Sequence, residues 1–204
     1  MSEQTLDALA RRIYAEFNAK PESRYIAAEF ALIQLSRLVG RIKPRNVLEI
    51  GAGIGTITKL LLEHPNRPAE ITASENHPVC LRELDANLKG IGTAGLKLIR
   101  NASELDMNMS FDLVIFDGSL NNERQFGIFR EGTWCFVEGS RSQTVRELQL
   151  ALVSRGLNLD YKTERPGGTK IRFLSARRVL GFRLPAFKVK PLKGCSIGQV
   201  VSAT

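Results

Sequence analysis

The sequence of 204 residues predicts an α/β fold organised around a mostly parallel β-sheet. The first observation is the stretch 46–62, in which a short apolar run, a glycine-rich turn and a helix follow one another. The second is a series of short apolar segments that read as further strands, at 71–75, 96–99, 111–116 and 133–138. The third is a hairpin signal at Pro166–Gly168, between strand-like segments at 157–164 and 170–176. Apolar runs of this kind are typical of strands that are covered on both faces.

Two helices are predicted before the first strand. Within residues 5–20, apolar side chains recur at a spacing that places them on one helix face: Leu6, Leu9, Ile13 and Phe17. Residues 21–23 break this pattern, and a second amphipathic segment runs from about Tyr25 to Gly40. We therefore expect two helices to pack beside the sheet before it begins.

The first strand ends in a glycine-rich turn. Gly51, Gly53 and Gly55 lack a Cβ atom, so the chain can turn tightly and a ligand can approach the backbone. The helix that follows would present its first backbone N–H groups to that ligand. The spacing differs from the dinucleotide-binding fingerprint, which would require a third glycine at the position of Thr56.

Polar residues follow the later strands at the points where these strands end. Glu75 ends the second strand, and a carboxylate about 20 residues after such a turn can accept hydrogen bonds from ribose hydroxyls. Residues 101–103 follow the third strand, and Asp117 with Gly118 follows the fourth. This order of residue types predicts a ligand site at one edge of the sheet.

The pattern E-x-G-x-G-x-G from Glu49 to Gly55 resembles the first motif of the class I S-adenosylmethionine-dependent methyltransferases. The resemblance extends over roughly residues 23–176. It implies a Rossmann-like three-layer sandwich with a mostly parallel seven-stranded sheet, an antiparallel last strand and extra N-terminal helices. It also implies S-adenosylmethionine as the cofactor.

The resemblance carries the family's binding positions onto this sequence residue by residue. The implied cofactor-binding residues are Glu49, Gly51, Ala52 and Gly53 at the turn, Glu75 and Asn76 at the second strand, Asn101, Ala102 and Ser103 at the third, and Asp117 at the fourth. Arg24 and Tyr25 are candidates for the cofactor's carboxylate, although capping and packing explain them equally well. His77 is expected on the ribose side of the cofactor, away from the methyl group.

Methyl transfer from a sulfonium is an in-line displacement, so an enzyme mainly has to align the reacting atoms. An acceptor hydroxyl also has to lose its proton to a base or to a metal-activated group. Asp117 is the candidate catalytic base by its position after the fourth strand, and a hydrogen bond to the cofactor or the neighbouring loop is the alternative role.

No magnesium site is predicted from the sequence. Catechol-type members of the family hold Mg²⁺ with an Asp after the fourth strand and an Asp-Asn pair after the fifth. Asp117 fits the first position, but the fifth strand ends in Glu138 and Gly139, so the asparagine is missing. Mg²⁺ prefers an octahedral shell of oxygen ligands and can keep several waters, so two carboxylates do not exclude it.

Three segments are expected: N-terminal helices at 1–40, the methyltransferase core at 41–178 and a basic tail at 179–204. The tail contributes to a formal net charge of +8 and a pI of about 9.7. A solvated end is the favoured interpretation, and an arm that binds nucleic acid is the alternative. The apolar stretch 197–201 is a candidate subunit contact, which would make the protein a homodimer.

The remaining features favour a cytoplasmic protein that does not bind membranes. The sequence has no run of 18 apolar residues and no apolar stretch of the secretory type near its start. Three cysteines, Cys80, Cys135 and Cys195, are far apart and suit free thiols in a reducing compartment. His64 is expected to be an exposed loop residue.

Three functions remain open from the sequence. The favoured one is methyl transfer to oxygen of a small-molecule acceptor. The fourth-strand motif reads Asp117–Leu120 and lacks the N/D-P-P-Y/F run of enzymes that methylate bases or glutamine. The alternatives are an RNA methyltransferase that uses the basic tail and a methyltransferase-like binding protein that catalyses nothing.

Overall fold

A computed structural model gives the fold of the protein. It describes residues 2–100, 104–118, 127–139, 141–167, 171–173 and 194–203, with the backbone alone at 171–173. The described residues form five α-helices: α1 (Glu3–Asn18), α2 (Glu29–Ile42), α3 (Thr56–Glu63), α4 (Pro78–Leu88) and α5 (Ser142–Val153). They also form eight strands: β1 (Asn46–Ile50), β2 (Glu70–Ser74), β3 (Leu96–Ile99), β4 (Leu113–Phe116), β5 (Trp134–Glu138), β6 (Leu157–Glu164), β7 (Ile171–Phe173) and β8 (Cys195–Ser202).

The described strands make one sheet in the order β3-β2-β1-β4-β5-β8-β6-β7. Strands β1 to β5 are mutually parallel, whereas β8 is antiparallel to β5 and β6, and β7 is antiparallel to β6. The chain order reverses between β1 and β4, and in open α/β sheets ligands bind beyond the strand ends at such a point. The predicted Rossmann-like α/β fold with a mostly parallel sheet is confirmed.

The end of the chain corrects two expectations. The sheet has eight described strands, not seven, and the inserted antiparallel strand is β8, not the second arm of the 157–176 hairpin. Cys195, Ile197 and Val200 are buried on β8 between two neighbours, so residues 195–202 are not a solvated end or an exposed subunit contact. Burying three apolar side chains lowers the free energy of the chain, so this eight-residue strand is more stable in the sheet than in water. Residues 174–193 lie outside the described residues, and all the basic residues of the expected tail at 179–204 fall within that segment of the sequence.

Helices α1, α2 and α3 share one hydrophobic cluster with side chains of β1, β2 and β4, with α1 packed on α2 and α3, and the two predicted N-terminal helices are confirmed. The second helix begins at Glu29, later than expected, after a 3₁₀ turn at Ser23–Tyr25. The Arg37 guanidinium donates two hydrogen bonds to the Asp7 carboxylate, with N–O distances of 2.7 and 2.6 Å. This pair joins α2 to α1 and holds the pKa of Asp7 below its usual range.

His64 is buried, and the expectation of an exposed loop residue is wrong. Its side chain fills the space at the end of α3, where the residue is 3% exposed. Its Nε2 atom lies 3.0 Å from the carbonyl oxygen of Ser36, and its Nδ1 atom accepts a hydrogen bond from the backbone N–H of Asn66 at 3.0 Å. Since Nδ1 accepts a hydrogen bond and Nε2 faces a carbonyl oxygen, the proton of the neutral ring is on Nε2. Burial lowers the pKa of His64.

His64 makes stability depend on pH. An unfolded histidine has a pKa of about 6.5, and the folded value is lower, so below about pH 6.5 the unfolded chain binds a proton that the folded chain resists. The contribution of neutral His64 to the free energy of unfolding is therefore complete above that pH, and it is lost as the pH falls. Urea unfolding between about pH 7 and pH 5 should show a smaller loss of stability for His64→Gln than for the natural sequence. The exposed His77→Gln is the control, and an unchanged pH dependence in His64→Gln would contradict this account.

Candidate functional site

The candidate site lies at the carboxyl ends of β1, β2, β4 and β5. At this edge the glycine turn follows β1, Glu75 follows β2, Asp117 follows β4 and Glu138 ends β5. Parallel strands place all these ends on the same side of the sheet. The sequence therefore brings its polar strand ends together through topology alone.

The glycine turn is held against two other segments. Gly51, Gly53 and Gly55 have φ angles of 86°, 55° and 95°, a left-handed region that glycine adopts without a steric penalty. A Cβ atom on Gly51 would lie 2.5 Å from the backbone nitrogen of Gly118, and one on Gly53 would lie 2.5 Å from the carbonyl oxygen of Tyr25. The turn thus fits closely between the end of β4 and the segment before α2.

Glu75 is bonded directly to the glycine turn. Its Oε2 atom accepts a hydrogen bond from the backbone N–H of Gly53 at 2.8 Å. Its Oε1 atom accepts from the backbone N–H groups of Asn76 and His77, at 2.8 and 2.7 Å. A carboxylate offers about four acceptor positions, and these three N–H groups use three of them, so about one position is left for a ligand hydroxyl. The residue fixes the turn and faces the crevice at the same time.

Two buried polar atoms beside the turn have no hydrogen-bond partner among the described residues, namely Oε1 of Glu49 and Oγ1 of Thr56. The Oε2 atom of Glu49 accepts from the Thr58 hydroxyl at 2.7 Å, so only half of this fully buried carboxyl group is satisfied. Burial raises the pKa of Glu49 to about 8, which keeps the group protonated at neutral pH. Buried polar atoms normally have partners, so these two mark a place where a polar ligand fits.

Asp117 and Glu138 form a pair of carboxyl groups on neighbouring strand ends, and Arg141 joins them. The Nη2 atom of Arg141 lies 3.1 Å from Oδ1 of Asp117 and also donates to the Asp117 carbonyl oxygen. Its Nε atom donates to the carbonyl oxygen of Glu138 at 3.1 Å. Burial raises the pKa of Asp117 well above its usual range, the Glu138 charge raises it further, and Arg141 opposes both effects.

The segment before α2 covers this edge of the sheet. The backbone N–H of Ala28 donates to Oε1 of Glu138 at 3.2 Å, which joins the segment to the end of β5. The Tyr25 ring lies 5.5 Å from the His77 ring, and the Arg24 guanidinium lies 4.8 Å above the Tyr25 ring. Arg24 and Tyr25 therefore lie at the mouth of the crevice, beside the turn and the end of β2.

The structure brings most of the predicted site residues together. These are Glu49, Gly51, Ala52, Gly53, Glu75, Asn76 and Asp117. Asn101, Ala102 and Ser103 lie outside the described residues, although the backbone N–H of Glu75 donates to the Ile99 carbonyl oxygen and so places the end of β3 beside β2. Sequence reasoning missed Arg141. The available signal was a basic residue three positions after the strand-end carboxylate Glu138.

The described residues contain no group of three or more His, Cys, Asp or Glu side chains arranged to hold a metal ion. At the position considered for Mg²⁺, Asp117 and Glu138 share a guanidinium from the chain itself. Among the described residues, the oxygen donors at this position are therefore already paired with a cation of the chain.

A separate cavity of 520 Å³ lies at the opposite edge of the sheet, where β1, β4 and β5 begin. Lys43, Asp112, Arg130 and Trp134 are among its lining residues. Because it faces away from the glycine turn, it is not part of the candidate site. Among the described residues, no helix has the length and apolar content needed to cross a membrane.

No protein-family model matches the sequence, and no curated protein matches it. Solved structures do share the fold. An O-methyltransferase from Bacillus cereus in complex with SAH has a TM-score of 0.59 at 14% identity, over 97% of this chain and 91% of that one. The O-methyltransferase TomG from Streptomyces achromogenes, involved in tomaymycin synthesis and in complex with SAM, has a TM-score of 0.56 at 16% identity, over 97% and 90%. TYW2 from M. jannaschii in complex with AdoMet has a TM-score of 0.52 at 13% identity, over 81% and 75%. The chain thus has the fold of the class I methyltransferases.

Replacing Gly51 tests how closely the turn is held. Gly51→Ala adds a Cβ at positive φ that meets the backbone of Gly118, and backbone atoms cannot move aside cheaply. Gly132→Ala is the matched control, because Gly132 also has a positive φ of 90° but no atom within 4 Å of an added Cβ. The control should lose about 1–2 kcal/mol of unfolding free energy from the backbone conformation alone. Gly51→Ala should lose clearly more in urea unfolding, and equal losses would contradict the close fit.

Proposed function

We propose that this protein is an S-adenosylmethionine-dependent methyltransferase that transfers the methyl group to oxygen of a small-molecule acceptor. The observation that carries the proposal is the contact between the Glu75 carboxylate and the N–H of Gly53, at 2.8 Å. It joins the acidic strand end and the glycine turn, the two features of the resemblance, into one crevice. The shared fold, and the SAM or SAH in the neighbouring structures, support the same cofactor.

The residues present fit this cofactor. The glycine turn and the unsatisfied Oε1 of Glu49 would face its methionine part, where an amino group can donate to a carboxyl oxygen. Glu75 and Asn76 would face the ribose hydroxyls. Arg24 and Tyr25, at the mouth of the crevice, would meet the cofactor's carboxylate. Residues 101–103, which follow β3 in the sequence and lie outside the described residues, stay a prediction for the adenine.

When bound, S-adenosylmethionine supplies a methyl group that is already activated by the positive sulfur. The chain then has to align the acceptor with it, and alignment contributes on the order of 7–11 kcal/mol in well-oriented reactions. By its position after β4, Asp117 would lie at the acceptor end and would take the proton of the acceptor hydroxyl on its carboxylate. Its pKa is raised, so the group becomes a base only as the pH rises through that value.

The choice of an oxygen acceptor follows from the residues at the end of β4. Gly118, Ser119 and Leu120 stand in the sequence where base- and glutamine-methylating enzymes carry two prolines and an aromatic residue. The RNA alternative depends on basic residues of the 179–193 segment, which lies outside the described residues. If the protein catalyses nothing, the largely buried Asp117–Glu138 pair has no chemical role. A homodimer stays a prediction.

Cofactor binding should depend on Glu75. In calorimetric titration with S-adenosylmethionine and S-adenosylhomocysteine, Glu75→Ala should weaken binding at least tenfold, because each hydrogen bond to a charged group contributes about 1.5–3 kcal/mol. Glu70→Ala is the matched control, since Glu70 is an exposed carboxylate at the other end of β2. A folded natural protein that binds neither compound would overturn the proposed function.

Methyl transfer should depend on Asp117 without a matching change in cofactor binding. Asp117→Asn keeps the shape of the side chain but removes the base, so turnover of a phenol acceptor should fall by about 100-fold to 10,000-fold. The readout is transfer of labelled methyl groups across a panel of phenols, as a function of pH. The natural protein should gain rate as the pH rises through the raised pKa of Asp117. Unchanged turnover in Asp117→Asn would exclude Asp117 as the base.

A further inference from the structure

Three charged side chains meet where β4 and β5 end. The Asp117 side chain is 16% exposed, that of Glu138 10% and that of Arg141 36%. Both carboxyl groups lie within 4.0 Å of one guanidinium nitrogen, and a second negative charge so near the first is disfavoured. Such a pair needs a cation, a shared proton or both.

The guanidinium of Arg141 is the cation that the chain itself provides. Its Nη2 atom contacts Oδ1 and the carbonyl oxygen of Asp117, and its Nε atom contacts the carbonyl oxygen of Glu138. The same Nη2 atom lies 4.0 Å from Oε2 of Glu138. Contacts to both strand ends through two nitrogens fix the planar group more firmly than a single ion pair would. Glu138 is held in turn by the N–H of Ala28.

We infer that Arg141 is the resident cation of the acceptor site, in the place where a divalent metal would otherwise lie. This inference rests on the proposed function, and it deepens it by naming the acceptor class. A guanidinium beside a carboxylate base stabilises an oxyanion as the proton leaves for Asp117. The matching acceptors are compounds with an ionisable hydroxyl, phenols or enols, and their methylation needs no divalent metal.

Manganese binding tests the inference without any acceptor or cofactor. Free Mn²⁺ is followed by electron paramagnetic resonance while the full-length protein is titrated with MnCl₂. The natural protein should bind no Mn²⁺ at this site, because the guanidinium occupies it. Arg141→Ala should gain a weak site formed by the two carboxylates, and Asp117→Asn combined with Arg141→Ala should lose it. Arg141→Lys keeps the charge and should still exclude the metal.

Arg82→Ala is the control, because Arg82 is an exposed arginine on α4 paired with Glu83. Arg141→Gln repeats the test without the charge if Arg141→Ala does not fold. The inference is overturned if the natural protein binds Mn²⁺ and Asp117→Asn abolishes that binding. It is equally overturned if removing the guanidinium creates no site, or creates one that persists without Asp117. Calorimetry with S-adenosylmethionine on the same preparations tests the proposed function separately.

Discussion

The arrangement of the site depends on the close approach of two backbone segments at the centre of the sheet. Gly51, just after β1, lies against Gly118, just after β4, with no room for a Cβ between them. The backbone N–H groups of Asp117 and Gly118 both donate to the carbonyl oxygen of Ile50, at 2.9 and 2.8 Å. This contact sets the distance between the glycine turn and the Asp117 carboxyl group, and hence between the proposed cofactor and acceptor sites.

Polar groups around this contact are costly to bury, which is typical of functional sites. Glu49 has lost its contact with water, and one of its oxygens has no partner among the described residues. Burial therefore keeps its proton on at neutral pH. Asp117 is held near Glu138 despite their mutual repulsion, with Arg141 as compensation. A purely structural sheet edge would be more stable with apolar residues at such positions.

Features that depend on local sequence were predictable. The glycine turn, the acidic residue at the end of β2 and the apolar strands were visible because each follows from neighbours along the chain. Three other features depend on distant parts of the chain. Strand β8 pairs with β5 and β6 across long separations, His64 is buried by the Ser36 carbonyl of α2, and Arg141 reaches back to Asp117. The apolar stretch 197–201 was visible in the sequence, but no residue near it along the chain indicated that it pairs with β5 and β6.

The central claim is that S-adenosylmethionine binds in the crevice beside the glycine turn. Backbone amide NMR of the labelled protein, titrated with S-adenosylhomocysteine, tests it most directly. The account predicts that the amide signals of Gly51, Gly53 and Asn76 shift, while those of Gly132 and Trp134 beside the opposite cavity do not. Absence of shifts, or shifts confined to the opposite edge of the sheet, would contradict the account.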